Sequence, residues 1–373
     1  MHQTGQVLND AVDVFSCCIL TWDALTVMLP AFLLAGAISV LIPPTVVLRY
    51  LGAGSKRWAA YVAAALAGTI LSICSCNVVP LFASIHKRGA GLGPAITFLY
   101  TGPAISVLSL IFTFKVLGWQ LGVPRMVLVP VLGVVIGVLM AFIFRHQEQQ
   151  RQAEVQAAAA QFVQQDHRPL WQLAAFFGTL LVIMIVGGLD HKQLEWVTWP
   201  RKLGVLVPLG GTVAAMAWRW FDTEQLKEWA AETWKLVRQV VPILLLSVLV
   251  IGLIAREVPL TWMRDIHLAA TNKRDPIAVV VASLFGSFMY FPILTEVAFT
   301  KAMLKTFTMA APPAIALLLT GSGLSLPGMI LIWRVLGPKK LLLYVALLNV
   351  LVIGVVLALI PLWQYTCPCW SLL

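Results

Sequence analysis

The sequence predicts an all-α polytopic membrane protein made of two internal repeats with broken or re-entrant helices. Of 373 residues, 60% are hydrophobic and only 11% are charged, against about 25% charged residues in soluble domains. Windows without formal charge recur along the whole chain, and the mean hydropathy is +0.89. Two of these windows carry helix-breaking segments at one constant offset, Cys74-Ser75-Cys76-Asn77-Val78-Val79-Pro80 and Gly286-Ser287-Phe288-Met289-Tyr290-Phe291-Pro292.

A span needs about 20 apolar residues. The charge-free windows are 24–48, 58–85, 89–114, 126–144, 169–189, 203–218, 239–255, 276–295, 306–333 and 341–373, which predicts about ten spans, some broken. Met1 to Asp23 carries Asp10, Asp13 and Asp23. It lacks the basic start and short apolar core of a cleaved signal and reads as an interfacial helix before the first span. The net charge of +10 comes from basic residues lying singly or in pairs between apolar windows. They read as headgroup-facing anchors of a multi-pass protein of the cell inner (plasma) membrane, not as a nucleic-acid-binding face. Lys and Arg counts on alternate loops tie, with Lys115 and Arg125 both counted as loop residues, so the polar Gln-rich stretch 145–168 is assigned to the cytoplasm as the longest such segment. Tryptophans near span ends, Trp58, Trp196, Trp199 and Trp218 among them, fit an aromatic belt.

The repeats organise the chain. Pro30 matches Pro242 and Pro80 matches Pro292 at an offset of 212; after a seven-residue insertion, residues 94–118 match 313–337 at 219. Thr101-Gly102 then falls on Thr320-Gly321, Lys115 on Arg334, and Ser84 is the counterpart of Glu296. The first repeat with its N-terminal helix covers 1–144, a polar linker with two extra spans covers 145–221, and the second repeat covers 222–373. Paired Gly- and Pro-interrupted segments point to a transport site near the bilayer midplane.

Each repeat has two expected breaks. Pro80 cannot donate to the carbonyl of Cys76 and clashes with it, so the break is expected on the thiol pair, with Pro292 as the matching break. The second breaks are at Thr101-Gly102-Pro103 and Thr320-Gly321-Ser322. Broken ends expose N–H and C=O groups as fixed partial charges, and non-helical backbone at membrane depth implies a cavity. These segments, with Cys74, Cys76 and Asn77, are the expected substrate-binding residues. Thiolates suit soft ions, although Cys is also a common buried hydrophobe. Glu296, just past the second-repeat break, is the expected coupling group because intramembrane carboxylates are costly and often relay protons; pairing with Lys301 or Lys305 at a helix end is the bland alternative. Cys17-Cys18 and Cys367-Pro368-Cys369 read as interfacial pairs, and His86-Lys87-Arg88 as a solvated turn. The chain has no phosphate-binding loop, so it is expected to be neither an ATPase nor another enzyme, with no cofactor and no metal. Its expected partners are a small solute and the bilayer, with no nucleic acid.

The stretch CSCNVVPLFASIHKRGAGLGPAITFLYTGPAISVL (74–108), with TGSGLSLPG (320–328) and RVLGPKK (334–340), resembles the widespread predicted-permease family of bacteria and archaea that includes the trivalent organoarsenical efflux permeases. The resemblance implies a polytopic permease, with efflux of trivalent arsenicals in some members. The reading is therefore a secondary carrier of a small thiophilic solute, the resemblance implying a trivalent arsenical, with proton coupling through Glu296. The alternatives are a carrier of a sulfur-containing anion or metal ion, relying on Lys115 and Arg334, and a membrane thiol oxidoreductase.

Overall fold

The computed structural model describes residues 22–41, 57–71, 75–105, 107–162, 170–188, 199–257, 276–289, 295–306 and 309–366. These residues form helices and no strand, as the composition predicts. In chain order they are α1 (Trp22–Leu41), α2 (Arg57–Leu71), α3 (Ser75–Lys87), α4 (Leu92–Ala104), α5 (Val107–Leu117), α6 (Trp119–Ile143), α7 (Arg145–Phe162), α8 (Leu170–Gly188), α9 (Trp199–Trp220), α10 (Thr223–Glu257), α11 (Pro276–Phe288), α12 (Thr295–Thr306), α13 (Ala311–Gly321), α14 (Leu326–Leu336) and α15 (Pro338–Thr366).

Two described helices, α6 and the Pro338–Pro361 part of α15, are long and apolar enough to cross a bilayer alone, and the bent pairs α4–α5 and α13–α14 bring the number to four if each is one span. Shorter apolar helices fill four more of the sequence windows, at Phe32–Leu41, Trp58–Thr69, Trp171–Ile183 and Pro276–Phe288. The surface of α6 shows why the chain needs lipid. Val127, Val131, Val135, Val138 and Phe142 form an exposed apolar stripe, while Val129, Leu132, Ile136 and Met140 are buried on the other side. A helix apolar all round belongs in a membrane or a deep core.

By internal packing the chain divides into two units. One comprises Met1–Ser55, Pro80–Ala90 and Gln149–Leu249; the other comprises Lys56–Val79, Gly91–Glu148 and Val250–Leu373. In the first, α8 packs on α1 and α9. Phe176 of α8 meets Phe221 and Trp229 edge-on, and the Trp229 indole N–H donates to Leu33 O at 2.9 Å. Arg151 donates to the carbonyls of His86 and Ala90 at 2.5 and 2.7 Å, which ties the polar helix α7 to the end of α3. The stretch 145–168 is thus a helix over most of its length, not a loop.

The second unit contains two similar sets of helices. In one, α4 packs between α2 and α6, with α5 on α6; in the other, α13 packs between α11 and α15, with α14 on α15. The α4–α5 pair is bent by 47° and the α13–α14 pair by 45°. Each bent pair ends at a glycine with positive φ, Gly118 (80°) and Gly337 (84°), a conformation that glycine adopts without steric cost. At the bend of the second pair, Ser325 caps α14, its Oγ accepting from Gly328 N at 3.3 Å. Ser325→Ala is expected to lower stability by about 1 kcal/mol; a melting curve in detergent within error of wild type would show that the cap contributes nothing.

The breaks differ in detail from expectation. Pro80 stands inside α3. Cys76 stands there too, so the helix is not broken at the Cys76 carbonyl as expected; Cys74 lies outside the described residues. With α3 starting only five residues before Pro80, the proline removes a single bond of the early helix, which the helix tolerates. Pro292 lies outside the described residues. Thr101-Gly102-Pro103 lies within the last turn of α4, and the bend follows at Ile105.

Candidate functional site

The buried stripe of α6 begins with a charge. Arg125 lies one turn before Val129 and its side chain is 1% exposed. The guanidinium spreads its donors over three elements. Nε donates to Ala104 O, the last carbonyl of α4, at 3.1 Å. Nη1 donates to Thr113 Oγ1 of α5 at 3.3 Å, and Nη2 to Glu296 Oε2 at 3.0 Å. Thr113 can accept because its own proton goes to Ser109 O at 2.7 Å. A planar, always-charged fork suits such a role better than the point charge of a lysine.

Glu296 is the second residue of α12, where the helix N-terminus favours a carboxylate. The helix packs on α5 and α13, and Glu296 is 2% exposed. One of its oxygens is committed to Arg125. The other, Oε1, is buried with no hydrogen-bond partner among the described residues. Buried acceptors are nearly always satisfied, so this oxygen marks a place for a proton, a water or a ligand donor.

Two buried phenols complete the centre. Tyr100 of α4 donates to Leu319 O of α13 at 2.9 Å, and Tyr344 of α15 donates to Gly323 O at 3.4 Å. A Cβ at Gly323 would meet the Tyr100 ring at 2.4 Å, so both phenols lie against the same glycine. The centre therefore joins the ends of α4 and α13 to the interior of α6 and α15.

The Thr-Gly segments are brought together by the Tyr100 bond, and their own groups serve packing. Thr101 donates back to Thr97 O at 2.8 Å, Thr320 to Ala316 O at 2.9 Å and Ser322 to Leu318 O at 2.8 Å. Pro103 and Gly321 are buried in the same helix ends, and Gly102 lies against Val78 of α3. Cys76 and Asn77 belong to the first turn of α3; Cys74, Cys17-Cys18 and Cys367-Cys369 lie outside the described residues. Lys115 and Arg334 are exposed in the last turns of α5 and α14, where a cation suits the helix C-terminus. His86 is buried and stacks on Phe82 at 5.6 Å, so it is not part of a solvated turn. No group of three or more His, Cys, Asp or Glu that could hold a metal occurs among the described residues.

Arg125 is the residue the sequence reading missed. Counted as a loop anchor beside Lys115, it is inside the span because α6 begins at Trp119. The available signal was the uncharged stretch Val116 to Pro124 before it, long enough to turn the chain and restart a helix. Glu296 pairs with this arginine, not with Lys301 in its own helix.

The predicted permease family matches the chain from residue 8 to residue 360. The chain is similar to the UPF0718 protein MJ0584 of Methanocaldococcus jannaschii, 34% identical over 353 residues that make up 93% of each protein. It is also similar to the UPF0718 protein YraQ of Escherichia coli, 24% identical over 85% of this chain and 72% of that protein. A third likeness, to the UPF0718 protein YcgR of Bacillus subtilis, is 25% over 33% of this chain and 42% of that protein. No solved structure matches the chain.

Proposed function

We infer, since the chain belongs to the predicted permease family that matches it over residues 8–360, that this integral membrane protein is a secondary carrier in the cell inner membrane. Its two sets of helices act as the repeats of an alternating-access machine. Matched bends and matched positive-φ glycines support that reading, as do the broken helices expected at a midplane site. The observation that carries a transport role is the buried Arg125–Glu296 pair with one carboxylate oxygen left unpartnered. Intramembrane ionisable groups line substrate and proton pathways, and a carboxylate held by only one of its oxygens can take up a proton without first losing every partner.

The cargo we propose is a small thiophilic solute, a trivalent arsenical being the chemistry that Cys74 and Cys76 suit, moved outward in exchange for a proton on Glu296. An arsenical-sensitive host lacking its own exporter tests this with wild type, Cys74→Ala, Cys76→Ala and Glu296→Gln. Wild type should lower cell arsenic several-fold while the cysteine variants accumulate it and Glu296→Gln loses the dependence of export on a proton gradient. Equal export by wild type and both cysteine variants would remove the thiols from the mechanism.

A further inference from the structure

The hydrogen bonds of the central site obey a numerical rule that changes the register of the two halves. From residue 76 to the start of α6 one offset, 219, aligns the described elements: α3 with α12, α4 with α13, α5 with α14, the start of α6 with the start of α15, and Gly118 with Gly337. Arg125 Nε donates to Ala104 O, and 219 residues later Tyr344 donates to Gly323 O. Tyr100 donates to Leu319 O, its own counterpart under the same offset. A residue bonded to its counterpart lies on a two-fold axis. The buried stripe Arg125, Val129 and Gly133 likewise falls on Tyr344, Leu348 and Val352.

One helix earlier the offset is 218. A Cβ at Gly68 would meet Thr101 Oγ1 and Gly102 N, and one at Gly286 would meet Thr320 Oγ1 and Gly321 N. Thr69 donates to Ala65 O as Ser287 donates to Ser283 O. Gly286 thus corresponds to Gly68, not to Cys74, and of the residues separating the offset of 212 at Pro30 from that of 219, all but one are added in the second half before Gly286 and the last between Gly286 and α12. With this register Cys76-Asn77-Val78 falls on Thr295-Glu296-Val297. The counterpart of Glu296 is Asn77, not Ser84.

We propose that Asn77 and Tyr344 are the uncharged twin of the Arg125–Glu296 pair, and that the two pairs are the half-sites, related by the axis at Tyr100, between which the transported solute binds. This deepens the carrier reading and rests on it for the solute. The charged half is neutral as a pair, and the other half carries no charge, so the site as a whole suits an uncharged ligand. The unpartnered Glu296 Oε1 calls for a donor on that ligand. A small uncharged hydroxylated solute meets both requirements; an anion fails the first and a bare metal ion meets neither.

The register is tested without any solute. In the full chain with its six native cysteines replaced by alanine, Asn77→Cys and Tyr344→Cys are combined, treated in membranes with a short bis-thiol reagent, and the chain is cut at a protease site inserted within residues 163–169. The halves should stay joined at least tenfold more often than in either single-cysteine chain, as they should for Arg125→Cys with Glu296→Cys. Failure of the 77–344 link overturns the proposal, whatever the 125–296 pair does. A charge transplant guards against misfolded cysteine variants. Asn77→Glu should cut the yield of folded protein several-fold, and Tyr344→Arg added to it should restore the yield to within twofold of wild type; no restoration overturns the twin assignment. If the 77–344 link forms while the wild-type chain exports no arsenical, the half-sites stand and only the proposed cargo is removed.

Discussion

Arg125→Met is expected to unfold most of the protein, and Arg125→Met combined with Glu296→Met is expected to bring much of it back as a folded but inactive carrier. Removing one partner of a buried ion pair leaves an uncompensated charge and costs about 3–5 kcal/mol, whereas replacing both by apolar residues is often neutral. Here the single change strands the Glu296 carboxylate, which has no other partner among the described residues, and also frees Ala104 O and Thr113 Oγ1 from their donor. The double change removes the stranded charge but leaves those two acceptors unmet, so recovery should be incomplete. Detergent-solubilised melting temperature and monodisperse yield read both outcomes. A stable Arg125→Met single variant would show that the pair is not closed in the folded protein. A double variant that still transports would show that the pair is structural only.

Gly68→Leu and Gly286→Leu are the substitutions with the next largest expected cost. At Gly68 even a Cβ would stand 2.3 Å from Thr101 Oγ1 and 3.0 Å from Gly102 N; at Gly286 it would stand 2.5 Å from Thr320 Oγ1 and 3.1 Å from Leu317 O. Backbone atoms are among the neighbours, so the helices must move apart. Small residues let membrane helices approach this closely, and overpacking a filled interface costs about 1–3 kcal/mol or more. The gain of about 1 kcal/mol in helix propensity on replacing glycine does not offset it. Gly354 of α15 has open space where a Cβ would go, so Gly354→Ala should leave melting unchanged or raise it. If all three variants melt alike, the two close approaches do not govern the fold.

The all-helical class and the apolar helices were legible because composition and window length are set by the bilayer itself. Glu296 stood out for the same reason, as a lone carboxylate in an apolar segment. Arg125 did not, because a charge flanking an apolar window looks the same whether the helix starts before it or after it; only the position of Gly118, three residues past Lys115, decides that α6 begins at Trp119. Pro80 misled for a different reason. A proline near a helix start removes little, and matching it to Pro292 set the register on one residue type, whereas the hydrogen bonds of Tyr100, Arg125 and Tyr344 set it on geometry. The Thr-Gly segments were found in sequence, yet their hydroxyls turn back onto their own helices, a role that spacing alone does not distinguish from ligand binding.

Two of the central bonds join residues made far apart in time. Arg125 meets a carboxylate 171 residues later, and the Tyr100 hydroxyl meets a carbonyl 219 residues later. While the ribosome is still producing the second half, the first is in the membrane with a cation and a phenol whose partners have not been translated. A nascent chain stopped before Glu296 is therefore expected to hold an arginine without its carboxylate, and one stopped before Leu319 a phenol without its carbonyl, so the centre closes only once α13 has been made.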